Sequence, residues 1–207
     1  MKIDVTKMLF GLDTSGKVGQ CTMYIAVVKA DKNDDKFQET VRSIVLPRHK
    51  GLATRRKIKS SDLTRNEREK ICKLINKSDY FLRELTSDTC RKLTKKYRYA
   101  SQLEVKLFAS CVHITCHHEV KDGDVILIER EYSNEEQLTS LTKFVEILFK
   151  EINKINVHVE IGLSISPTID KADKIAGCGR SNIINAEPIT EKELDQRMEK
   201  LKIAANR

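Results

Sequence analysis

The sequence predicts an α/β fold built on one mixed sheet, an antiparallel β meander followed by parallel strands, with helices on both faces. Three observations carry that expectation. Apolar runs near the N-terminus follow one another with only turn-forming or polar residues between them. Helix-like and strand-like segments then alternate. Finally, Val125-Ile126-Leu127-Ile128 is an uninterrupted apolar run of the kind that marks a strand covered on both faces.

Lys7 to Asp13, Cys21 to Lys29 and Thr40 to Leu46 read as three consecutive strands, rich in Val, Ile and Leu. Thr64-Arg65-Asn66-Glu67 has the form of a capping box, in which hydroxyl and carboxylate each satisfy a free backbone donor. It opens a helix bearing Ile71, Leu74 and Ile75 that ends near Ser78. Asp79 to Leu85 reads as a short strand and Thr86 to Lys96 as a short helix capped by Ser87. Leu103, Leu107, Phe108, Cys111 and Ile114 give one apolar face to a helix over Ala100 to His117. The strand Val125 to Ile128 follows a Lys-Asp-Gly-Asp turn. Asn134 to Asn153 is strongly amphipathic, Val157 to Ile165 returns to strand, and Thr190-Glu191-Lys192-Glu193 caps a last helix.

A length of 207 residues without a Pro-, Gly- or Ser-rich linker or an internal repeat points to a single domain over residues 1–207. Charged residues at 33% and hydrophobic ones at 40% describe a globular chain with a solvated surface. No apolar stretch approaches membrane-spanning length and the N-terminus lacks the order of a signal peptide, so a cytoplasmic protein without a membrane partner is expected. The six cysteines fall at irregular distances, so free thiols are expected. A net charge of +8 leans toward an anionic partner. The basic residues cluster in two stretches, Arg48 to Lys59 and Arg91 to Arg98, each of which is either a phosphate-facing patch or a solvated surface.

Three carboxylates stand at positions where a sheet holds a side chain rigidly yet open to solvent. Asp13 ends the first strand, Glu129 ends the apolar strand from Val125, and Asp173 follows the last strand in Asp170-Lys171-Ala172-Asp173. If the first strand and the Val125 strand are neighbours, Asp13 and Glu129 point into one site. Mg²⁺ or Mn²⁺ takes hard oxygen ligands and keeps several waters, so two or three carboxylates suffice to anchor it. The bland alternative is acids that merely happen to lie at strand ends. Gly177-Cys178-Gly179-Arg180-Ser181 reads as a flexible loop before a helix, with Arg180, Ser181 and Lys17 suited to hold a phosphate. The alternative there is an ordinary turn. Cys111, His113, Cys116, His117 and His118 crowd one segment without a second ligand cluster, and read as core thiols and exposed imidazoles rather than a zinc site.

Four blocks of sequence resemble the type 2 ribonucleases H, especially the archaeal form. Gly11-Leu12-Asp13-Thr14-Ser15-Gly16-Lys17 resembles the family's Gly-Ile-Asp-Glu-Ala-Gly-Arg opening. Leu63-Thr64-Arg65-Asn66-Glu67-Arg68-Glu69-Lys70 is similar to its Lys-Leu-Thr-x-x-x-Arg-Glu-Lys segment. Asp124-Val125-Ile126-Leu127-Ile128-Glu129 resembles the strand ending in its central catalytic Asp, and Lys171-Ala172-Asp173-Lys174-Ile175 resembles the element carrying its last metal ligand. The blocks come in the family's order and span most of the chain.

The resemblance implies a ribonuclease H-like fold, Mg²⁺ or Mn²⁺ as cofactor, and Asp13, Glu129 and Asp173 as metal ligands and catalytic residues. It also implies RNA, DNA or an RNA/DNA hybrid as partner, contacted by Lys17, Ser60, Arg180 and Ser181. The chain departs from the pattern where the family's second acid is Thr14, its Gly-Arg-Gly loop is Gly16-Lys17-Val18, and its Asp-Ser-Lys loop is Lys59-Ser60-Ser61. Two functions follow: a divalent-metal-dependent nuclease, or a catalytically inactive nucleic-acid-binding module that keeps the fold.

Overall fold

The computed structural model describes residues 7–16, 18, 22–31, 33–53, 55 and 57–204. Strand β1 (Leu9–Ser15) pairs antiparallel with β2 (Met23–Lys29), and β2 pairs antiparallel with β3 (Tyr80–Leu85). On its other side β1 runs parallel to β4 (Val125–Glu129), which runs parallel to β5 (His158–Gly162). A two-residue strand, β6 (Glu187–Pro188), lies parallel to β3. The order across the sheet is β5-β4-β1-β2-β3-β6, with β1 between its antiparallel and parallel halves.

The meander thus forms, but its third strand is β3, and Thr40 to Leu46 is not a strand. That stretch belongs to helix α1 (Asp34–Val45). Its β-branched residues suggest a strand, yet Phe37, Val41 and Val45 recur every fourth residue and bury one helical stripe. Asp34 and Asp35 in the first turn favour the helix further, as acids do at the positive end of its dipole.

The remaining helices are α2 (Lys50–Ala53), α3 (Arg65–Cys72), α4 (Ser87–Lys96), α5 (Leu103–Cys116), α6 (Glu135–Leu148), α7 (Pro167–Arg180) and α8 (Glu191–Ala204). Both expected capping boxes are made: Thr64 and Thr190 each accept from the backbone three residues on, while Glu67 and Glu193 accept from the threonine amides. Helix α3 stops at Cys72 rather than near Ser78. At α4 the cap is Thr86, whose hydroxyl accepts from the Thr89 amide, and Ser87 is the first helical residue. Helix α6 continues as a π turn through Phe149–Asn153.

Alternation along β2 divides the interior. Ile25 and Val27 face a core with α5, α6 and α8; Ala26 and Val28 face another with α1, α3 and α7. Both faces of the sheet are therefore covered, as its apolar central strands require. Each fully buried Leu, Ile or Phe contributes about 1.5–3 kcal/mol.

Several expectations change here. Cys72 of α3 and Cys178 of α7 form a disulfide across 106 residues of sequence, because the packing of these helices brings the two thiols together. Cys90, Cys111 and Cys116 are free and buried, and Cys21 lies outside the described residues. His113 is not an exposed imidazole: it is fully buried and bonded to Asn153 and Arg197, although it stacks on His117 as the i, i+4 spacing suggests. The second basic cluster docks helices, with Lys96 2.6 Å from Asp195 and Lys92 3.8 Å from Glu191 of α8. No described helix is long and apolar enough to cross a membrane.

Candidate active site

Strand parity aims the first two acids. In β1, Phe10 and Leu12 enter the core beneath α5, so Gly11 and Asp13 face α7; in β4, Ile126 and Ile128 enter the same core, so Glu129 also faces α7. Leu12 stands level with Ile128 in the parallel register, which makes Asp13 and Glu129 the next pair along. The two side chains are hydrogen-bonded to one another.

Helix α7 brings the third acid. It lies close on β1 because Gly11 has no side chain: a Cβ there would sit 2.6 Å from the carbonyl carbon of Thr168 and 2.8 Å from the amide nitrogen of Ile169. Asp173, two turns along α7, comes within electrostatic range of both Asp13 and Glu129. Asp13 is 3% exposed, and the Glu129 and Asp173 side chains are 20% and 13% exposed. The structure thus gathers the three acids singled out in the sequence.

Two lysines sit among them. Lys57, in the extended residues before a 3₁₀ turn at Ser60–Asp62, puts its ammonium 2.8 Å from Glu129 Oε1 and 3.7 Å from Asp13 Oδ2. Lys174, 1% exposed, bridges Asp173 Oδ2 at 2.9 Å and Asp170 Oδ1 at 2.8 Å. Ser60 completes the shell of Asp173, its amide donating to Oδ2 at 2.8 Å and its hydroxyl to Oδ1 at 2.9 Å. Arg68 braces the turn from behind by donating to the carbonyls of Ser60 and Leu63 and to the Ser181 hydroxyl.

Burial, the hydrogen bond with Glu129 and the charges of Asp173 and Glu129 hold the Asp13 carboxyl well above the usual carboxylate range, outweighing Lys57. Burial also pushes Glu129 and Asp173 upward, but their partners win. The bond from Asp13 and the Lys57 ammonium hold Glu129 below its ordinary value, and Lys174, Lys57 and Ser60 do the same for Asp173. Lys57 loses by burial and gains more from all three acids, so it is a firm cation. The Asp13–Glu129 pair shares one proton, carried by Asp13.

Thr14 adds no charge beside Asp13. Its hydroxyl donates to Glu131 Oε1 at 2.6 Å, two residues beyond the end-of-strand acid. Among the described residues, no three His, Cys, Asp or Glu side chains stand in an open arrangement ready to hold a metal, since the ammonium and hydroxyl groups already engage the oxygens. The donor set is nevertheless all oxygen, convergent and richer in carboxylate than in ammonium, which fits a hard divalent cation.

The other sequence-predicted contacts fall differently. Lys17 lies outside the described residues. The Ser60 and Ser181 hydroxyls are committed to Asp173 and Arg68. Gly177 to Ser181 is not a loop entering a helix but the last turn and cap of α7, so the backbone groups left over are carbonyl acceptors rather than amide donors. Its glycines serve packing: a Cβ on Gly177 would lie 2.4 Å from Ser60 Cβ, and one on Gly179 2.9 Å from Leu82 Cδ2. Arg180 is exposed at that helix end. Sequence reasoning passed over the roles of Lys57, Arg68 and Lys174; the only signal for Lys57 was its place in the first basic stretch.

No protein-family model matches the chain, and no curated protein is significantly similar to it. Solved structures are. The protein is similar to the PCNA:RNase HII complex from Archaeoglobus fulgidus, with a TM-score of 0.52 and 14% identity over 97% of this chain and 90% of that one. It is also similar to ribonuclease H2 from Pyrococcus horikoshii OT3, with a TM-score of 0.51 and 20% identity over 94% of this chain and 75% of that one.

Proposed function

We propose that this chain, which has the ribonuclease H-like fold and resembles its type 2 members, is a divalent-metal-dependent nuclease acting on phosphodiester bonds of RNA, DNA or their hybrid. The observation that carries the reading is the convergence of Asp13, Glu129 and Asp173 from β1, β4 and α7 into one partly open acidic site. The net charge of +8 favours a polyanionic partner.

Asp13, Glu129 and Asp173 would hold Mg²⁺ or Mn²⁺, which when bound supplies a Lewis acid and an activated water. Ser60 and Lys174 orient Asp173, fixing both of its oxygens. Lys57 offsets the charge of the acid pair and so lowers the electrostatic cost of bringing a phosphate near three carboxylates. Arg180 and Lys17 are assigned to phosphate contact. Ser60 and Ser181 act instead through Asp173 and Arg68, because their hydroxyls are already engaged.

The second reading, a nucleic-acid-binding module without catalysis, is favoured by Lys57 and Thr14, which supply a cation and a neutral group in an acidic site. One assay separates them: incubation with Mg²⁺ or Mn²⁺ and labelled single-stranded, duplex, hybrid and branched substrates. The nuclease reading expects cleavage that Asp13→Asn and Asp173→Asn each reduce at least about a hundredfold. Binding without cleavage, unchanged by either substitution, overturns it in favour of the module.

A further inference from the structure

We infer that Lys57 is a built-in second cation, so that the site takes up one divalent ion per chain and not a pair. The inference rests on the metal-dependent reading above and adds the stoichiometry. The ammonium lies 2.8 Å from Glu129 Oε1 and 3.7 Å from Asp13 Oδ2, with the side chain only 10% exposed. It is not a surface lysine folded in by chance. Three residues on, Ser60 is fastened to Asp173 through its amide and hydroxyl, its carbonyl accepts from Arg68 at 3.0 Å, and it packs against the bare backbone of Gly177. The segment that delivers the cation to two acids is therefore the one that clamps the third.

Charge counting gives the number. Asp13, Glu129, Asp173 and Asp170 face Lys57 and Lys174, which leaves two negative charges when all are ionised, enough to balance one divalent ion. A pair of ions roughly 4 Å apart would bring four positive charges to the same carboxylates, with the ammonium already on one of them. Thr14, whose hydroxyl is turned to Glu131, provides no further acid beside Asp13 to offset that excess. Replacing Lys57 by a neutral side chain removes the resident charge and opens its place to a second ion.

The test is a Mn²⁺ titration of the full chain by calorimetry, with free Mn²⁺ followed in parallel by electron paramagnetic resonance, on wild type, Lys57→Arg and Lys57→Met. One ion per chain is expected for wild type and Lys57→Arg, and two for Lys57→Met, the first held about tenfold more tightly than in wild type. Two ions in wild type, or one in folded Lys57→Met, overturn the inference and leave the nuclease reading standing. No uptake by any variant overturns both. If Lys57→Met does not fold, Lys57→Gln replaces it, and the wild-type count decides by itself against a pair of ions.

Discussion

Gly177 stands one helical turn beyond Asp173 on α7, and the side chain it lacks is the space in which Ser60 sits. A Cβ at Gly177 would meet Ser60 Cβ at 2.4 Å and Oγ at 2.6 Å. Gly177→Ala is therefore expected to displace the turn that clamps Asp173 and to destabilise the fold by about 1–3 kcal/mol. Ser60→Gly removes the clashing atoms, so the double variant should recover much of that loss. Urea unfolding of the four proteins in a double-mutant cycle measures the coupling, and strict additivity would show that the contact does not matter.

Lys174 is the buried hub of α7. With 1% exposure it neutralises Asp170 and Asp173 together, and Lys174→Met would leave two carboxylates buried without it. The expected loss is about 3–5 kcal/mol, read as a lower urea midpoint at pH 7. Adding Asp170→Asn should restore part of the loss.

His113 makes stability depend on pH. Burial, with Arg197 facing the same ring and only Asn153 opposing, pushes the imidazole down to about 3 from an ordinary 6.5. The unfolded chain therefore takes up a proton that the folded chain refuses. Its contribution is complete above pH 6.5 and is lost as pH falls toward 3, by about 1.4 kcal/mol for each unit well below 6.5. Denaturant midpoints from pH 7 to 4 should fall more steeply for wild type than for His113→Phe, whatever the absolute stability of the variant.

The Cys72–Cys178 disulfide closes 106 residues of chain and ties α3 to α7. In the chain-entropy account, closing a loop of that length stabilises by about 4–5 kcal/mol. Melting temperatures with and without reductant should differ accordingly, and Cys72→Ser should show no such difference.

Most of the architecture was legible because strand parity and capping chemistry are local. The threonine-glutamate boxes at Thr64 and Thr190 mark their helix starts by residue type alone. Leu12 and Ile128 reveal which face of each strand is apolar, and hence where the next residue, Asp13 or Glu129, points. Helix α7 was not legible, since Gly177 and Gly179 resemble a loop until Ser60, Leu82 and Tyr24 are seen against them; Pro167 at its first turn was the available sign. Nor could α1 be told from a strand by Val41, Ile44 and Val45 without the surfaces they cover. Lys57 was hidden for a different reason: the reach of a lysine into a site 72 residues distant in sequence is set by tertiary packing, and no spacing rule encodes it.

The acids and their counter-charge come from separate parts of the chain. Sheet and α7 hold the carboxylates, whereas Lys57 arrives on the connection between α2 and α3, where its own backbone carries no strand or helix pairing. Heredity can therefore retune the ionic character of the site one codon at a time, at position 57, while the frame that positions the acids stays under its own selection.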